Sequence, residues 1–101
     1  MMRVIADLCL IPIGVGVSVS REIAACERVL AEAGLKTKLH AYGTNIEGEW
    51  DEVMALIKAC VMKVAEHAPR VDLVMKVDYR PGITGALRGK VEAIEERLKG
   101  V

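Results

Sequence analysis

The sequence predicts a single α+β domain, residues 1–101, built on a four-stranded antiparallel sheet. Segments that alternate like β-strands and segments with apolar residues at helical spacing follow one another in the order β-α-β-β-α-β, with one further helix at the end. Two βαβ units with a hairpin between them are typical of the ferredoxin-like arrangement. A chain of 101 residues has the usual length of one domain, and at that size about 60–65% of the unfolded surface becomes buried.

The first strand is predicted over residues 4–11, an aliphatic segment that ends at Pro12. Alternation gives this strand two faces, one with Val4, Ala6, Leu8 and Leu10 and the other with Ile5, Asp7, Cys9 and Ile11. The first helix follows, with Ser18 or Ser20 as its N-cap and Gly34 as the residue that ends it. Its apolar stripe consists of Val19, Ile23, Cys26, Leu30 and Ala33.

The centre of the chain predicts two short strands and a second helix. We place the strands at residues 36–41 and 43–48, where polar and apolar side chains alternate. The helix begins with an acidic turn formed by Glu49, Asp51 and Glu52, which suits the positive end of the helix dipole. Its apolar stripe consists of Trp50, Val53, Ile57, Cys60, Val64 and Ala68, and Pro69 ends it.

The last strand is predicted over residues 71–80, where five apolar or aromatic side chains alternate with charged ones. Pro81 and Gly82 form a turn, and Thr84 caps a final helix with the stripe Leu87, Val91, Ile94 and Leu98. Helices of a ferredoxin-like unit cover one face of the sheet, which leaves the second face to solvent or to another subunit. Here that face combines Ile5, Cys9, Ile11 and Val74 with Asp7, Lys76 and Asp78. We therefore expect subunits to associate through their sheets, with a polar pocket between them.

The composition excludes several classes of protein. Lys and Arg number 14 and Asp and Glu number 14, so the formal net charge is zero, and aromatic residues make up only 3%. A neutral, aromatic-poor chain lacks the positive field and the stacking platforms of nucleic-acid binders. An apolar content of 52% excludes intrinsic disorder. The longest apolar run near the start, residues 8–17, is too short to span a bilayer. Three cysteines without a CxxC pair indicate reduced thiols, so we expect a soluble, cytoplasmic protein without membrane partners.

Familiar catalytic and metal-binding motifs are missing from the sequence. It contains no GxSxG, no P-loop and no HExxH. The segment Gly14-Val15-Gly16 lacks the third glycine of a dinucleotide fingerprint. His67 suits the cationic end of a helix, whereas His40 is either a surface residue or a pocket wall. The cysteines lie on apolar stripes and are interpreted as core residues. We therefore predict no catalytic residue, no metal ligand and no required cofactor.

Two segments carry polar side chains that folding alone does not require. Thr44, Asn45 and Glu47 precede the second helix, and a hydroxyl, an amide and a carboxylate suit a heteroaromatic ligand with donor and acceptor edges. Ordinary turn chemistry is the alternative. Asp78 lies between Lys76 and Arg80 on one face of the last strand. These charges either face water and pair with each other, or line a polar cavity that takes an amino-bearing ligand.

Four landmarks in order resemble the small thiamine-binding family, which is related to the YkoF-type proteins that bind thiamine or its hydroxymethylpyrimidine half. They are Ile11-Pro12-Ile13-Gly14, Ser18-Val19-Ser20, Gly43-Thr44-Asn45-Ile46-Glu47-Gly48-Glu49, and Lys76-Val77-Asp78-Tyr79-Arg80 followed by Lys90-Val91. The match extends over nearly the whole chain, and its Gly-Thr-x-x-Glu-Gly-Glu element is the most specific. Where the family often has Asp-Asp-Arg, this chain has Asp78-Tyr79-Arg80, and alternation turns Tyr79 toward the helices.

The resemblance implies a ferredoxin-like subunit that assembles through open sheet faces into a homotetramer, a dimer of dimers. It also implies a pocket near the sheet and the subunit interface that recognises an aminopyrimidine. Carried onto this chain, the ligand-binding residues are Thr44, Asn45, Glu47, Asp78 and Ser18, with apolar walls from Ile11, Ile46 or Tyr42. Bound thiamine or hydroxymethylpyrimidine would then be a ligand and not a cofactor.

Three functions follow as hypotheses. The first is a non-catalytic binding protein for thiamine or its pyrimidine half. The second is an acylphosphatase-like enzyme, which the sequence disfavours because the loop between Gly14 and Ser20 has no arginine before Arg21. The third is a regulatory oligomer that binds another small effector.

Overall fold

A computed structural model describes residues 2–82 and 85–100 and shows seven elements of secondary structure in this part of the chain. They are β1 (Arg3–Ile13), α1 (Ser20–Ala33), β2 (Lys36–His40), β3 (Gly43–Glu49), α2 (Trp50–Ala65), β4 (Arg70–Tyr79) and α3 (Ala86–Lys99). The four strands form one antiparallel sheet in the order β2-β3-β1-β4. The predicted ferredoxin-like α+β fold is confirmed.

The core lies between the sheet and the pair α1 and α2. The face of β1 predicted to point inward is buried along its length, from Val4 to Leu10. Leu30 of α1, Ile46 of β3 and Val53 of α2 pack into the same cluster, each 1% exposed or less. Burial of aliphatic side chains of this size is the main source of stability in a small domain, at about 1.5–3 kcal/mol each.

Strand β1 is longer than the sequence predicts, because it runs through Pro12 to Ile13. Its register explains why proline is accepted there. Strand β3 pairs with β1 only from Arg3 to Leu8, whereas β4 pairs with β1 as far as Ile13. Beyond Leu8 one side of β1 is therefore a sheet edge, where a residue without an N–H group is tolerated. The prediction that the strand ends at Pro12 is wrong.

The helix ends differ in part from their predicted caps. The N-cap of α1 is Val19, whose side chain forms no capping hydrogen bond. The hydroxyls of Ser18 and Ser20 instead lie 3.2 Å apart and bond to each other, so the predicted serine cap is wrong. Gly34 ends α1 with φ of 75°, as predicted. The N-cap of α2 is Glu49, whose carboxylate accepts from the N–H groups of the next turn.

Helix α3 has a different N-cap from the predicted one and covers part of the second sheet face. Thr84, the predicted N-cap, lies outside the described residues, and the helix has Gly85 at its N-cap with φ of 71°. Helix α3 lies over the second face of the sheet, where Lys90 forms an ion pair with Asp78. The sequence predicted that this face is left to solvent or to another subunit. Helix α3 instead covers part of it. None of the helices described here has the length and apolar character of a membrane-spanning segment.

Candidate functional site

A cavity of about 260 Å³ opens between α1, the end of β1 and the β2–β3 hairpin. Its walls are mainly aliphatic and include Leu10, Ile11, Ile23 and Leu39. The hairpin places Tyr42 at the cavity wall, with the residue 87% exposed to solvent. A concave apolar pocket with few polar groups is the usual form of a small-molecule site.

Glycine at position 43 allows the hairpin to close against β1. A Cβ atom on Gly43 would overlap the carbonyl oxygen of Leu8, which is backbone and cannot move aside alone. Because β3 begins at Gly43, this close approach decides where β3 separates from β1. The cavity opens at that point, beyond the last β1–β3 pair of Leu8 and Thr44.

The polar base of the cavity is a carboxylate and a hydroxyl. Thr44 Oγ1 donates a hydrogen bond of 2.7 Å to Glu27 Oε1, and both residues line the cavity. Thr44 is 5% exposed, and Glu27 is half-buried on α1. The second oxygen of the carboxylate remains an acceptor for a ligand, since an ionised carboxylate accepts several hydrogen bonds. A charged acceptor among aliphatic walls favours a ligand that brings a donor or a positive charge.

The free edge of β1 adds backbone groups to the same cavity. From Cys9 to Ile13, β1 has no pairing with β3, and Cys9, Leu10 and Ile11 line the cavity. Backbone N–H and C=O groups along an unpaired edge lack strand partners and can form hydrogen bonds with a ligand. This edge therefore offers both donors and acceptors to a flat heteroaromatic ligand.

His40 links the β2–β3 hairpin to β1 through hydrogen bonds at both ring nitrogens. Its Nδ1 accepts from the backbone N–H of Tyr42 at 3.3 Å, which leaves the proton of the neutral ring on Nε2. Nε2 then donates to Asp7 Oδ1 at 2.7 Å, and Asn45 Nδ2 donates to the same oxygen at 3.2 Å. Both ring nitrogens are thus engaged, and His40 is a pocket wall with a positioning role.

The structure separates the predicted ligand-binding residues into two groups. Thr44, Ile11 and Tyr42 line the cavity beside α1, whereas Asn45, Glu47 and Asp78 line cavities on the opposite face of the sheet. Ser18 lines none of these cavities. Thr44 and Asn45 are neighbours on one strand, so their side chains necessarily point to opposite faces.

Glu27 is a candidate site residue that the sequence did not lead us to predict. It follows Ile23 by four residues and precedes Leu30 by three, so it shares the apolar face of α1. A carboxylate on the apolar face of a helix was the signal that could have identified it. Within residues 2–82 and 85–100, no group of three histidine, cysteine or acidic side chains is arranged to hold a metal ion.

Two buried thiols meet where α1 packs on α2. The thiol of Cys60 lies 3.8 Å from the carbonyl oxygen of Cys26, and Cys26 also lines the cavity. A hydrogen bond with the Cys60 thiol, together with burial, raises the pKa of Cys26 well above its ordinary value. A thiol held in its protonated form is a poor nucleophile. The interpretation of Cys26 and Cys60 as core residues agrees with this environment.

We expect thiol reagents to distinguish the cysteines. In the native protein at pH 8, iodoacetamide should modify the partly exposed Cys9 first, and Cys26 and Cys60 only after unfolding in urea. Mass spectrometry of peptides taken over time checks this order. Modification of Cys26 at the rate of Cys9 would contradict the buried, protonated thiol described above.

Comparison with known proteins gives consistent matches. The profile of the family described as thiamine-binding protein matches residues 6–95. The chain is 52% identical over 99 residues to a UPF0045 protein of Synechocystis, covering 97% of this chain and 82% of the relative. The crystal structure of a hypothetical protein from Methanocaldococcus jannaschii superposes with a TM-score of 0.88 at 32% identity, covering 95% of this chain and 99% of the other.

A further solved structure supports the fold alone. It comes from Thermotoga maritima, is assigned provisionally to thiamine biosynthesis or salvage, and has a TM-score of 0.73 at 23% identity. The alignment covers 89% of this chain and 98% of that one. The family profile spans most of the sequence, and the relative from Synechocystis aligns over nearly all of it. The chain belongs to the thiamine-binding protein family.

Proposed function

We propose that this protein binds thiamine or its hydroxymethylpyrimidine half, without turnover, in the cavity beside α1. The observation that carries the proposal is the hydrogen-bonded pair of Glu27 and Thr44 at the base of an otherwise aliphatic cavity. Membership of the thiamine-binding family supports the same class of ligand.

The chemistry of a 4-aminopyrimidine complements this pair. The ring presents an exocyclic amine, which is a donor, beside a ring nitrogen, which is an acceptor. The carboxylate of Glu27 accepts from the amine, and the hydroxyl of Thr44 can rotate to donate to the ring nitrogen. Ile11 and Ile23 supply apolar walls for the faces of the ring. A thiazolium, where the ligand has one, adds a permanent positive charge that the carboxylate favours.

The side chains that line this cavity are poorly suited to catalysis. The raised pKa of Cys26 disfavours its thiolate, and both ring nitrogens of His40 already have hydrogen-bond partners. Arg21, the residue on which an acylphosphatase-like reaction would depend, is exposed on α1 and does not line the cavity. These features support a binding protein over an enzyme.

Calorimetry tests the proposal directly. Titration with thiamine and with 4-amino-5-hydroxymethyl-2-methylpyrimidine should release heat with one-to-one stoichiometry per chain. The matched control is the 4-oxo analogue of the same pyrimidine, which exchanges the donor amine for an acceptor oxygen facing Glu27. We expect the analogue to bind at least about tenfold more weakly, because the half-buried carboxylate of Glu27 loses its donor and faces an acceptor oxygen. Equal affinities for the two pyrimidines, or no heat with millimolar ligand, would contradict the proposal.

We also propose that subunits assemble into a homotetramer, a dimer of dimers, in a reducing compartment such as the cytoplasm. Apolar side chains on two elements support the assembly: Ile11 and Val74 at the uncovered end of the sheet, and Ile94 and Leu98 of α3, all of which are exposed. Free thiols at all three cysteines support the reducing compartment.

Light scattering at micromolar concentration should give a mass near four times the 11.0 kDa of one chain. Val74→Asp and Leu98→Asp each place a charge on one of these surfaces, and at least one of them should reduce the mass. Lys58→Asp, on the exposed side of α2, is the control and should leave the mass unchanged. A wild-type protein of 11.0 kDa at that concentration would exclude the assembly.

A further inference from the structure

We infer a second binding site, for a small oxyanion such as a phosphate or carboxylate group, between the sheet and α3. A cavity of about 210 Å³ lies there, on the opposite face of the sheet from Glu27 and Thr44. Its charged lining consists of Arg3 at the start of β1, Arg80 after β4 and Lys90 of α3, together with Glu47 and Asp78.

The cations of this cavity are only partly engaged within the protein. Lys90 Nζ pairs with Asp78 Oδ2, which neutralises both charges. The Nε atom of Arg3 is buried, and the described residues provide no acceptor for it. Arg80 forms no ion pair with any of the residues that the structure describes. A planar guanidinium presents N–H groups in the geometry that matches two oxygens of a phosphate or carboxylate.

The acids of the cavity do not cancel this attraction. Asp78 is already paired with Lys90, and the single negative charge of Glu47 is outnumbered by the two arginines of the lining. Glu47 and Asp78 lie on either side of Ile5 in one row across the sheet. The lining therefore carries three positive and two negative side chains, which favours a small anion and sets an affinity that salt will weaken.

Gly89 leaves this side of the cavity without a side chain. It lies inside α3, where glycine is the least favourable residue after proline. Its φ is not positive, and a Cβ atom there would meet no atom of the described residues within 4 Å, so neither the backbone nor packing among those residues requires glycine. Gly85 differs, because its φ of 71° does favour glycine. Gly89 is exposed and lines the cavity, so a side chain at this position would take up part of the open space.

This inference is independent of the proposed function, since the two cavities share no lining residue and lie on opposite faces of the sheet. Failure of thiamine to bind would leave the oxyanion site standing. Failure of oxyanions to bind would leave the aminopyrimidine cavity standing.

The experiment is a titration of the full chain with inorganic phosphate and, separately, with acetate, followed by amide chemical shifts in ¹H–¹⁵N spectra at low ionic strength. We expect saturating shifts at Ile5, Gly85 and Gly89, and none at Thr44. The stronger response of the two anions identifies the class of oxyanion.

Three variants make the test specific. Gly89→Leu fills the cavity from a helical position that tolerates a side chain, and Arg80→Gln removes one cation. Both should weaken binding by at least about tenfold. Arg88→Gln removes the same charge from an exposed residue of α3 that does not line this cavity, and it should change binding less than about twofold.

Thermal unfolding shows whether Gly89→Leu remains folded, which we expect because leucine is a better helix former than glycine. If that variant unfolds, the comparison of anion affinity between Arg80→Gln and Arg88→Gln tests the site without it. Equal losses in these two arginine variants would show only diffuse attraction and would overturn the site. An absence of saturating shifts with both anions at millimolar concentration would overturn it as well.

Discussion

Replacing Glu27 with methionine is expected to weaken binding of hydroxymethylpyrimidine by about 100-fold. Methionine keeps the length of the side chain and is a good helix former. It removes the carboxylate that accepts a hydrogen bond from the exocyclic amine. Glu27→Gln retains a neutral acceptor, so we expect an intermediate loss of about tenfold. Calorimetry with the pyrimidine measures both effects.

The control for this series is Glu32→Gln, on the exposed side of the same helix. It makes the same change of charge away from the cavity and should leave the affinity within about twofold of wild type. Circular dichroism should show unchanged helix content in all three variants. If Glu27→Met binds the pyrimidine as tightly as Glu32→Gln does, the ligand is not recognised by this carboxylate, and the cavity beside α1 is not the site.

Replacing Gly43 with alanine is expected to cost about 3 kcal/mol of stability, a fall in Tm of roughly 10–20 °C. The added Cβ would overlap the carbonyl oxygen of Leu8, so β3 must shift away from β1 next to the cavity. Because this contact is between backbones, rotation of a side chain cannot relieve it. Scanning calorimetry measures the loss, and ligand binding should weaken in parallel, since Thr44 is the next residue of β3.

The same substitution at Gly89 is the matched control. Alanine there meets no atom of the described part of the chain within 4 Å and lies inside α3, so it should stabilise the protein by about 0.5–1 kcal/mol. Two glycine-to-alanine changes in one chain are thus expected to have opposite signs. A Tm of Gly43→Ala equal to that of the wild type would mean that β1 and β3 do not approach as closely as described.

The strands and helices were predictable because their signals are local. Alternation along β1 separated Val4 and Leu8 from Ile5 and Asp7, and the structure buries the first pair and leaves the second partly exposed. The passage of β1 through Pro12 was not predictable in this way. It depends on where β3 stops pairing with β1, and no residue near Pro12 carries that information.

The candidate site was predictable only in part. Thr44 was identified as a polar residue of the hairpin, but grouping it with Asn45 ignored the alternation that turns neighbouring side chains to opposite faces. Glu27 was missed because its partner is 17 positions away in the sequence, and only the packing of α1 on β3 brings them together. The placement of α3 on the second face likewise depends on long-range docking, which its own amphipathic pattern does not specify.

The most direct test of the central claim is a crystal structure of the protein with 4-amino-5-hydroxymethyl-2-methylpyrimidine. We expect the ring in the cavity beside α1, with its exocyclic amine within hydrogen-bond distance of Glu27 and a ring nitrogen close to the Thr44 hydroxyl. A ring bound instead against Glu47 and Asp78 beneath α3 would contradict this account.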